Sequence, residues 1–289
     1  YDDVEIKYEK NKLKLKEKLD FIEFEPTIIR IYNLNDLKID DKKQLNINVS
    51  YQKYHQKFNI QYNIFSVEYN FVLSTLFKND DYLLNTWMNY YKKQKVDYFY
   101  LYVNKKIDKD YSSFTNCKFI EWDFEYWYDK SKYKCKDVSV SFHFAQMGQI
   151  SHFIYKYGKP LSKWIANIDL DEYLHVENKK IGNILSDEYN YIYFNNYWSK
   201  LESDYIPKYE EKLNLYQQDI CIMNNDKLRG KERFKFIVKT SDILANGIHQ
   251  IKKIRKEKKI NYPDSKMIHF KNWSKPNRTF SDCSNIKIA

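Results

Sequence analysis

Three carboxylates stand within four residues in the stretch KWIANIDLDEYLHV, which covers residues 163–176. Asp169, Asp171 and Glu172 follow a short, nearly all-apolar run, which is typical of a strand in the middle of a sheet. Two carboxylates held on one turn by a rigid strand repel each other unless a cation lies between them. The position of these carboxylates directly after a rigid strand therefore favours a divalent-cation site. Oxygen ligands favour Mg²⁺ or Mn²⁺, and an added histidine ligand would favour Mn²⁺.

The same D-x-D spacing occurs a second time, in Asp108-Lys109-Asp110, but there it lies in the polar run NKKIDKDYSS. The spacing alone therefore carries little information. The apolar strand before the pair distinguishes Asp169 and Asp171. A structural alternative stays open, in which these two aspartates cap a following helix or pair with a lysine.

The elements that position this turn can be predicted from apolar runs and helical spacing. Four runs predict strands: YNFVLSTLFK ending at Lys78, VDYFYLYV (96–103), CKFIEWDF (117–124) and Trp164–Leu170. One helix is expected to begin at the N-cap Asn79, and another to occupy 141–157 and end at Gly158. This order predicts an α/β domain with a mostly parallel central sheet flanked by helices. Ligands of such sheets bind beyond the carboxyl ends of the strands, where Asp169 lies.

Further strands are predicted at 190–200, 233–240 and 265–273, with a short helix that begins at Ser241 and Asp242. Residues 1–65 are highly charged and irregular in pattern. We interpret them as an N-terminal extension packed on a main domain of residues 66–289. Within the extension, KYEKNKLKLKEKLDF is compatible with a basic amphipathic helix.

Composition leaves a nucleic-acid-binding protein as an alternative, because the net charge is +10 and 18% of residues are aromatic. A distributed lysine excess is more often a solvated surface. The four cysteines form no C-x-x-C pair, which favours free thiols and a reducing compartment such as the cytoplasm. No apolar run reaches the roughly 18–20 residues that span a bilayer. The chain begins at Tyr1 rather than methionine, so a Golgi-type lumen stays open if an upstream anchor was removed.

Two reaction classes fit a metal-binding strand end. Phosphate chemistry of the haloacid-dehalogenase type expects a small threonine or valine two residues after the second aspartate, where this chain has Tyr173. That motif also closes the first strand of its fold, whereas three predicted strands precede Asp169. Nucleotide-sugar chemistry fits better, because a metal between two aspartates and a diphosphate neutralises charge on the leaving nucleoside diphosphate.

An ordered set of motifs resembles the GT-A-fold glycosyltransferases, most closely family 92, the galactosyltransferase-like proteins. The motifs are LFKNDDYLLNTWMNYYKKQKVDYFYLYVN, QMGQISHFIYKYGKPLSKWIANIDLDEYLHV, KFIVKTSDI with GIHQI, and MIHFKNWS. The resemblance covers about residues 68–275. The resemblance implies a Rossmann-like nucleotide-sugar-binding fold and a transferase that uses Mn²⁺ or Mg²⁺ with a UDP-sugar donor.

The resemblance also implies roles for particular residues. The predicted metal ligands are Asp169, Asp171 and His269, with Glu172 behind them or against the sugar. His269 has an equal alternative as a buried core histidine. Nucleotide and diphosphate contacts are expected from Lys78, Asn79, Asn104 and Lys235, and a solvated surface position is the alternative for Lys235. His249 is either a diphosphate contact or a rival metal ligand.

The acceptor side departs from the family, because NNYWSKLESDY lacks the glycine that members usually carry after the fifth strand. If the reaction inverts the anomeric carbon, one carboxylate must take the proton of the acceptor hydroxyl, and Glu202 and Asp204 are the candidates. Tyr197 and Trp198 would stack on the acceptor sugar, or pack in the core. The sequence thus predicts a metal-dependent hexosyltransferase acting on a glycan or glycoprotein hydroxyl. The alternatives are a nucleic-acid-binding or processing protein and a non-catalytic sugar-nucleotide binder.

Overall fold

The structure is a computed structural model, and it describes these residues: 5–8, 11–12, 15–21, 27–32, 44–51, 53–61, 67–126, 144–201, 219–223, 233–255, 258–260, 265–270 and 283–287. The chain divides into two compact units, Tyr1–Ser66 and Val67–Ala289. All of the predicted site residues belong to the second unit.

The first unit is built of strands. They are β1 (Glu5–Tyr8), β2 (Asn11–Lys12), β3 (Leu15–Phe21), β4 (Thr27–Tyr32), β5 (Gln44–Tyr51) and β6 (Tyr54–Gln61). An antiparallel sheet has the order β2-β1-β5-β6, and β3 pairs with β4. The predicted amphipathic helix in KYEKNKLKLKEKLDF is wrong, because these residues contribute to β1, β2 and β3.

The second unit contains a large sheet and three α-helices in the described residues. Its strands are β7 (Tyr69–Phe77), β8 (Tyr98–Val103), β9 (Cys117–Glu121), β10 (Ser162–Asn167), β11 (Glu172–Val176), β12 (Tyr191–Leu201), β13 (Asp219–Met223), β14 (Lys235–Lys239), β15 (Ile243–Asn246), β16 (Ile251–Ile254), β17 (Lys259–Ile260), β18 (Ser265–Phe270) and β19 (Cys283–Lys287). Its helices are α1 (Leu84–Lys93), α2 (Phe144–Phe153) and α3 (Lys159–Leu161). The strands predicted around the carboxylates are therefore confirmed.

The large sheet has the order β11-β18-β12-β14-β10-β7-β8-β9, with β13, β17 and β19 attached beside it. The class is α/β, but the predicted mostly parallel sheet flanked by helices is wrong in detail. Only the segment β10-β7-β8-β9 is continuously parallel, and β14 runs antiparallel to both β10 and β12. Parallel neighbours need a long crossover, usually a helix. No α-helix follows Leu161 in the part of the chain that the structure describes, so later strands join largely as antiparallel neighbours.

One helix covers each face of the parallel segment. Phe71 and Leu73 on β7 pack in the same cluster as Trp87 of α1. Val72, between them, packs on the other face with Ile150 of α2. This alternation along a fully buried strand fixes the sheet between the two helices. Packing against the two helices thereby holds the parallel strands in place.

The helix that follows β7 begins differently from the prediction. Asn79 is not its N-cap, because Asp80 takes that position before a 3₁₀ turn, Asp81–Leu83, which leads into α1. The Asp80 side chain makes no capping hydrogen bond there. Its carboxylate is therefore available for contacts with other residues.

Two other predicted boundaries are wrong. The helix of 141–157 does not end at Gly158, since a π-helical turn, Ile154–Gly158, continues into α3. Pro160 is tolerated because it lies in the first turn of α3, where its missing N–H is not needed. The helix predicted at Ser241 is a turn that leads into β15. Within the described residues, no helix combines the length and apolarity that a bilayer crossing requires.

His152 on α2 makes the stability of this unit depend on pH. Its Nδ1 lies 2.8 Å from the Tyr102 hydroxyl, and its ring lies 5.0 Å from that of Trp122. Burial and then the charge of Lys156 lower the pKa of His152 to about 4. The folded state binds this proton less readily than the unfolded chain. Its contribution to stability is therefore complete above about pH 6.5 and is lost as the pH falls toward 4.

We expect His152→Gln to reduce the fall in melting temperature between about pH 7 and about pH 5, because this titration is removed. Thermal denaturation at matched ionic strength measures the fall in each variant. The exposed His55 provides a control, since its replacement by glutamine should leave the wild-type dependence unchanged. An equal fall in His152→Gln and wild type would contradict the prediction.

Candidate active site

The carboxyl ends of three neighbouring parallel strands meet at one edge of the sheet. Asn104, which follows β8, donates its backbone N–H to the carbonyl of Phe77 at 2.7 Å. Ile168, which follows β10, donates to the carbonyl of Ser74 at 2.9 Å. The residues after β7, β8 and β10 therefore lie side by side. The structure thus brings Lys78, Asn104 and Asp169 to the same edge, where ligands of such sheets bind.

The turn that carries the carboxylates is closed by its own hydrogen bonds. The Asp169 N–H donates to Glu172 Oε2 at 3.0 Å, and the Glu172 N–H donates to the Asp169 carbonyl at 3.1 Å. The Phe270 N–H donates to the Asp171 carbonyl at 2.9 Å. Asp169 and Asp171 are thus held by a defined turn and not by a flexible loop.

Three side chains of α1 donate hydrogen bonds to backbone carbonyls of this turn and of β11, which follows it. Trp87 Nε1 donates to the Asp169 carbonyl at 3.1 Å, and the hydroxyls of Tyr91 and Tyr90 donate to the carbonyls of Glu172 and Leu174 at 3.1 and 2.6 Å. All three rings are buried. A helix was predicted here, but not that its rings would hydrogen-bond to the carboxylate turn.

Strand register places His269 against the turn. In the antiparallel pair β11–β18, Glu172 lies opposite His269, and in the parallel pair β12–β18, Trp198 lies opposite His269. The His269 Nε2 is 3.5 Å from Asp171 Oδ2, and its Nδ1 is 3.8 Å from Glu172 Oε1. The Trp198 ring packs against the imidazole in a tilted arrangement, with centroids 4.3 Å apart. Sequence reasoning missed β11, which creates this register.

Lys235 enters the same cluster from the start of β14. Its side chain is 1% exposed, and its Nζ lies 3.1 Å from Asp169 Oδ2 and 3.0 Å from Glu172 Oε2. The alternative that Asp169 pairs with a lysine is therefore correct for this contact. The alternative that the aspartates cap a helix is wrong, because β11 follows them. The predicted phosphate contact of Lys235 stays a prediction.

These contacts set the protonation of the cluster. Burial lowers the pKa of Lys235, but Asp169 and Glu172 outweigh it and hold the pKa above its ordinary value. Burial and the Asp169 charge raise the pKa of Glu172. Burial also opposes ionisation of Asp171, yet the charge and hydrogen bond of His269 keep the pKa of Asp171 below its ordinary value. Lys235 therefore stays charged within the cluster.

Comparison with known proteins assigns this arrangement to a family. A search of curated proteins finds no match. The family model of glycosyltransferase family 92 matches residues 68–287, which is most of the chain and nearly all of the second unit. The chain belongs to glycosyltransferase family 92. It is therefore a glycosyltransferase with a GT-A-like α/β domain, and its partners are a sugar donor and a glycan acceptor.

The family 92 domain contains a fourth carboxylate in its site, which was not predicted. Burial and then the charges of Asp171 and Asp81 raise the pKa of Asp80. Asp80 follows the end of β7, next to the Asp169–Glu172 turn. Its position shortly after the end of β7 was the signal that could have identified it. We name Asp80, Asp169, Asp171 and Glu172 the carboxylate cluster.

The other predicted donor contacts lie around the carboxylate cluster. Lys78 and Asn79 are exposed after β7. Asn104 is buried, and its amide donates to the carbonyls of Trp122 and Phe124 at 2.9 and 2.8 Å. Its amide N–H groups therefore hold the chain after β9, while its predicted contact with the nucleotide stays a prediction.

His249, the remaining predicted donor contact, also faces the cluster. Burial and then the charges of Lys235 and Arg233 lower its pKa to about 3. His249 is therefore held neutral near the two cations. The two predicted catalytic carboxylates, Glu202 and Asp204, lie outside the described residues.

The donor set of the family 92 site fits a divalent cation in its chemistry. Among the described residues, no three His, Cys, Asp or Glu side chains already stand together as a complete metal site. Asp171 and His269 nevertheless turn an oxygen and a nitrogen toward each other. The Nδ1 of His269 and the Oε1 of Glu172, both buried and without hydrogen-bond partners among the described residues, lie behind that pair. A carboxylate behind the second nitrogen of a histidine is a common feature of metal sites.

Proposed function

We propose that the chain transfers a hexose from a UDP-linked sugar to a hydroxyl of a glycan or glycoprotein, with Mn²⁺ or Mg²⁺ as cofactor. Family membership gives the glycosyl transfer. The observation that supports the rest is the carboxylate cluster, which the fold holds rigidly where three parallel strands end. The negative charge of this cluster repels an anionic nucleotide unless a cation binds to both the cluster and the nucleotide.

Different residues of the chain would have different roles in donor binding. Asp171 and His269 would hold the cation, together with Asp169, whose side chain is 30% exposed. The cation, when bound, supplies Lewis-acid stabilisation of the leaving nucleoside diphosphate. Lys78, Asn79 and Asn104, which lie at the same edge, would contact the nucleotide. Lys235 contacts both Asp169 and Glu172, and would thereby hold the Asp169 carboxylate in one orientation.

An inverting reaction is the stereochemistry that we propose, with Glu202 or Asp204 as the base for the acceptor hydroxyl. Both follow β12, whose residue Trp198 contacts His269. Since Trp198 already packs against His269, its proposed role on the acceptor sugar would use the remaining surface of its ring.

We expect UDP with Mn²⁺ to raise the melting temperature of the wild-type chain, because a ligand that binds only the folded state stabilises it. The gain is about 2.7 kcal/mol when the ligand is present at a hundred times its Kd. Differential scanning fluorimetry with UDP, GDP and ADP, each with and without Mn²⁺, measures the shift. The largest shift should come from UDP with the metal.

The same experiment tests the nucleic-acid alternative. No shift with any nucleoside diphosphate, together with oligonucleotide binding that weakens steeply with salt, would reject the proposed function in its favour. A non-catalytic binder would show the shift but release no sugar. Incubation with a panel of UDP-sugars, followed by mass spectrometry for free UDP and transferred hexose, separates a binder from an enzyme and identifies the donor.

A further inference from the structure

The charge balance of the site leaves a diphosphate without a sufficient cationic partner. In the described residues, the carboxylate cluster contains four acidic side chains, and Lys235 is the lysine that contacts it. The diphosphate adds about two negative charges beside these carboxylates. Lys235 is committed to two carboxylates and is 1% exposed. A second cation at a place that the diphosphate can reach would therefore favour donor binding.

Arg233 lies at that place, two residues before Lys235 and at the point where β14 begins. It is exposed, and its guanidinium carbon lies 5.8 Å from the centroid of the Trp198 ring. The same ring packs against His269, which faces Asp171. The charge of Arg233 also reaches His249, whose pKa it helps to lower after burial and Lys235. Arg233 is thus connected through one aromatic ring to the predicted metal ligands.

None of the ion pairs found in the described part of the chain includes Arg233. Lysines on neighbouring strands, in contrast, are paired with carboxylates. A guanidinium that rests on an aromatic ring keeps its planar donor edge available. Planar, forked donors match phosphate oxygens better than an ammonium does. The position, the exposure and the geometry of Arg233 all suit an anionic ligand.

We propose that Arg233 binds the diphosphate of the nucleotide-sugar donor, and that Trp198 holds its guanidinium toward His269 and the metal ligands. The inference rests on the proposed function, because it needs a nucleoside-diphosphate donor at this edge. The inference gives the two cationic residues near the start of β14 different roles. Lys235 fixes the protein carboxylates, and Arg233 meets the phosphate oxygens.

The test compares ligands that differ only in their phosphates. Isothermal titration calorimetry measures binding of uridine, UMP and UDP, each with Mn²⁺, to the wild type and to Arg233→Gln. We expect Arg233→Gln to weaken UDP binding by about 10-fold to 100-fold, the range for a lost charge-assisted contact. Uridine binding should not change, because uridine has no phosphate. Arg233→Lys should fall between, since it keeps the charge but not the planar donors.

Arg255→Gln is the matched control, because Arg255 is also exposed but follows β16, away from the carboxylate cluster. It should bind UDP as the wild type does. Equal UDP affinity in Arg233→Gln and wild type would overturn the inference and leave the proposed function intact. So would an equal loss for uridine and UDP, which would indicate a general disturbance of the site. A wild type that binds no nucleoside diphosphate would instead overturn the proposed function, and the inference with it.

Discussion

Lys235→Met is expected to lower the free energy of unfolding by about 3–5 kcal/mol, the cost of removing one partner from a buried ion pair. The ammonium is 1% exposed and contacts Asp169 and Glu172, and Glu172 is also 1% exposed. Methionine keeps most of the aliphatic length, so the change removes the charge and little packing. Without the lysine, Glu172 stays buried among acidic neighbours. Urea denaturation followed by circular dichroism measures the change.

Lys239→Met is the matched control for this prediction, because Lys239 lies on the same strand, β14. Its ammonium pairs with Asp187 at 2.8 Å, but the Asp187 side chain is 72% exposed. Loss of such a pair costs about 1 kcal/mol or less, because water replaces the partner. The double variant Lys235→Met with Glu172→Gln should recover part of the loss, since the buried carboxylate is then removed as well. Equal effects of Lys235→Met and Lys239→Met would show that the cluster does not depend on its lysine.

The central strands could be predicted from sequence because their signal is local. Fully buried strands such as β7, β8 and β10 appear as continuous apolar runs, and each run ends where the polar residues of the site begin. Parallel neighbours share their carboxyl edge, so Asp169 could be placed at a ligand-binding edge without knowledge of any contact. The comparison with Asp108-Lys109-Asp110 succeeded for the same reason. In the structure, Asp108 is an exposed residue whose carboxylate pairs with Lys105 at 3.3 Å.

The arrangement inside the site could not be predicted, because it depends on pairings distant in sequence. The His269 ring meets Asp171 only because β18 lies between β11 and β12, and β11 was too short to recognise after a turn. Likewise, Lys235 reaches Asp169 because β14 runs antiparallel to β10, with Lys239 opposite Trp164. No apolar pattern in β14 distinguishes that register from the parallel one that was expected. The identity of Lys235 as an internal counter-ion therefore needed the structure.

The antiparallel course of β14 has a consequence for function. It brings Lys235 and Arg233 to the edge by the N-terminal end of a strand, whereas Asp169 arrives at the carboxyl end of another. A parallel β14 would have placed the opposite end, with Lys239 and Thr240, beside the carboxylates. The mixed sheet thus brings the buried cation Lys235 to the carboxylates that follow the parallel strand β10. The departure from the expected topology is what makes the cluster electrostatically tolerable.

The Asp171 carboxylate should be the most sensitive group for catalysis. We expect Asp171→Asn to lower kcat/KM for the UDP-sugar by more than about 100-fold, because an amide oxygen is a weaker cation ligand and the lost stabilisation amounts to several kcal/mol. Folding should be preserved, since the Asp171 carbonyl keeps its hydrogen bond from Phe270 at 2.9 Å. Steady-state assays of UDP release at several Mn²⁺ concentrations measure the loss. Circular dichroism and the melting temperature establish that the variant is folded.

The second D-x-D motif offers a control of identical chemistry for that measurement. Asp108→Asn removes one negative charge from an aspartate with the same spacing, but Asp108 has a side chain that is 65% exposed and only a surface partner. It should leave kcat/KM within about 2-fold of the wild type. If Asp171→Asn stayed in that same range, Asp171 would have no part in holding the cation, and the contact with His269 would be structural. If the two variants separate as expected, the difference measures what the buried strand and turn add to a motif that the sequence contains twice.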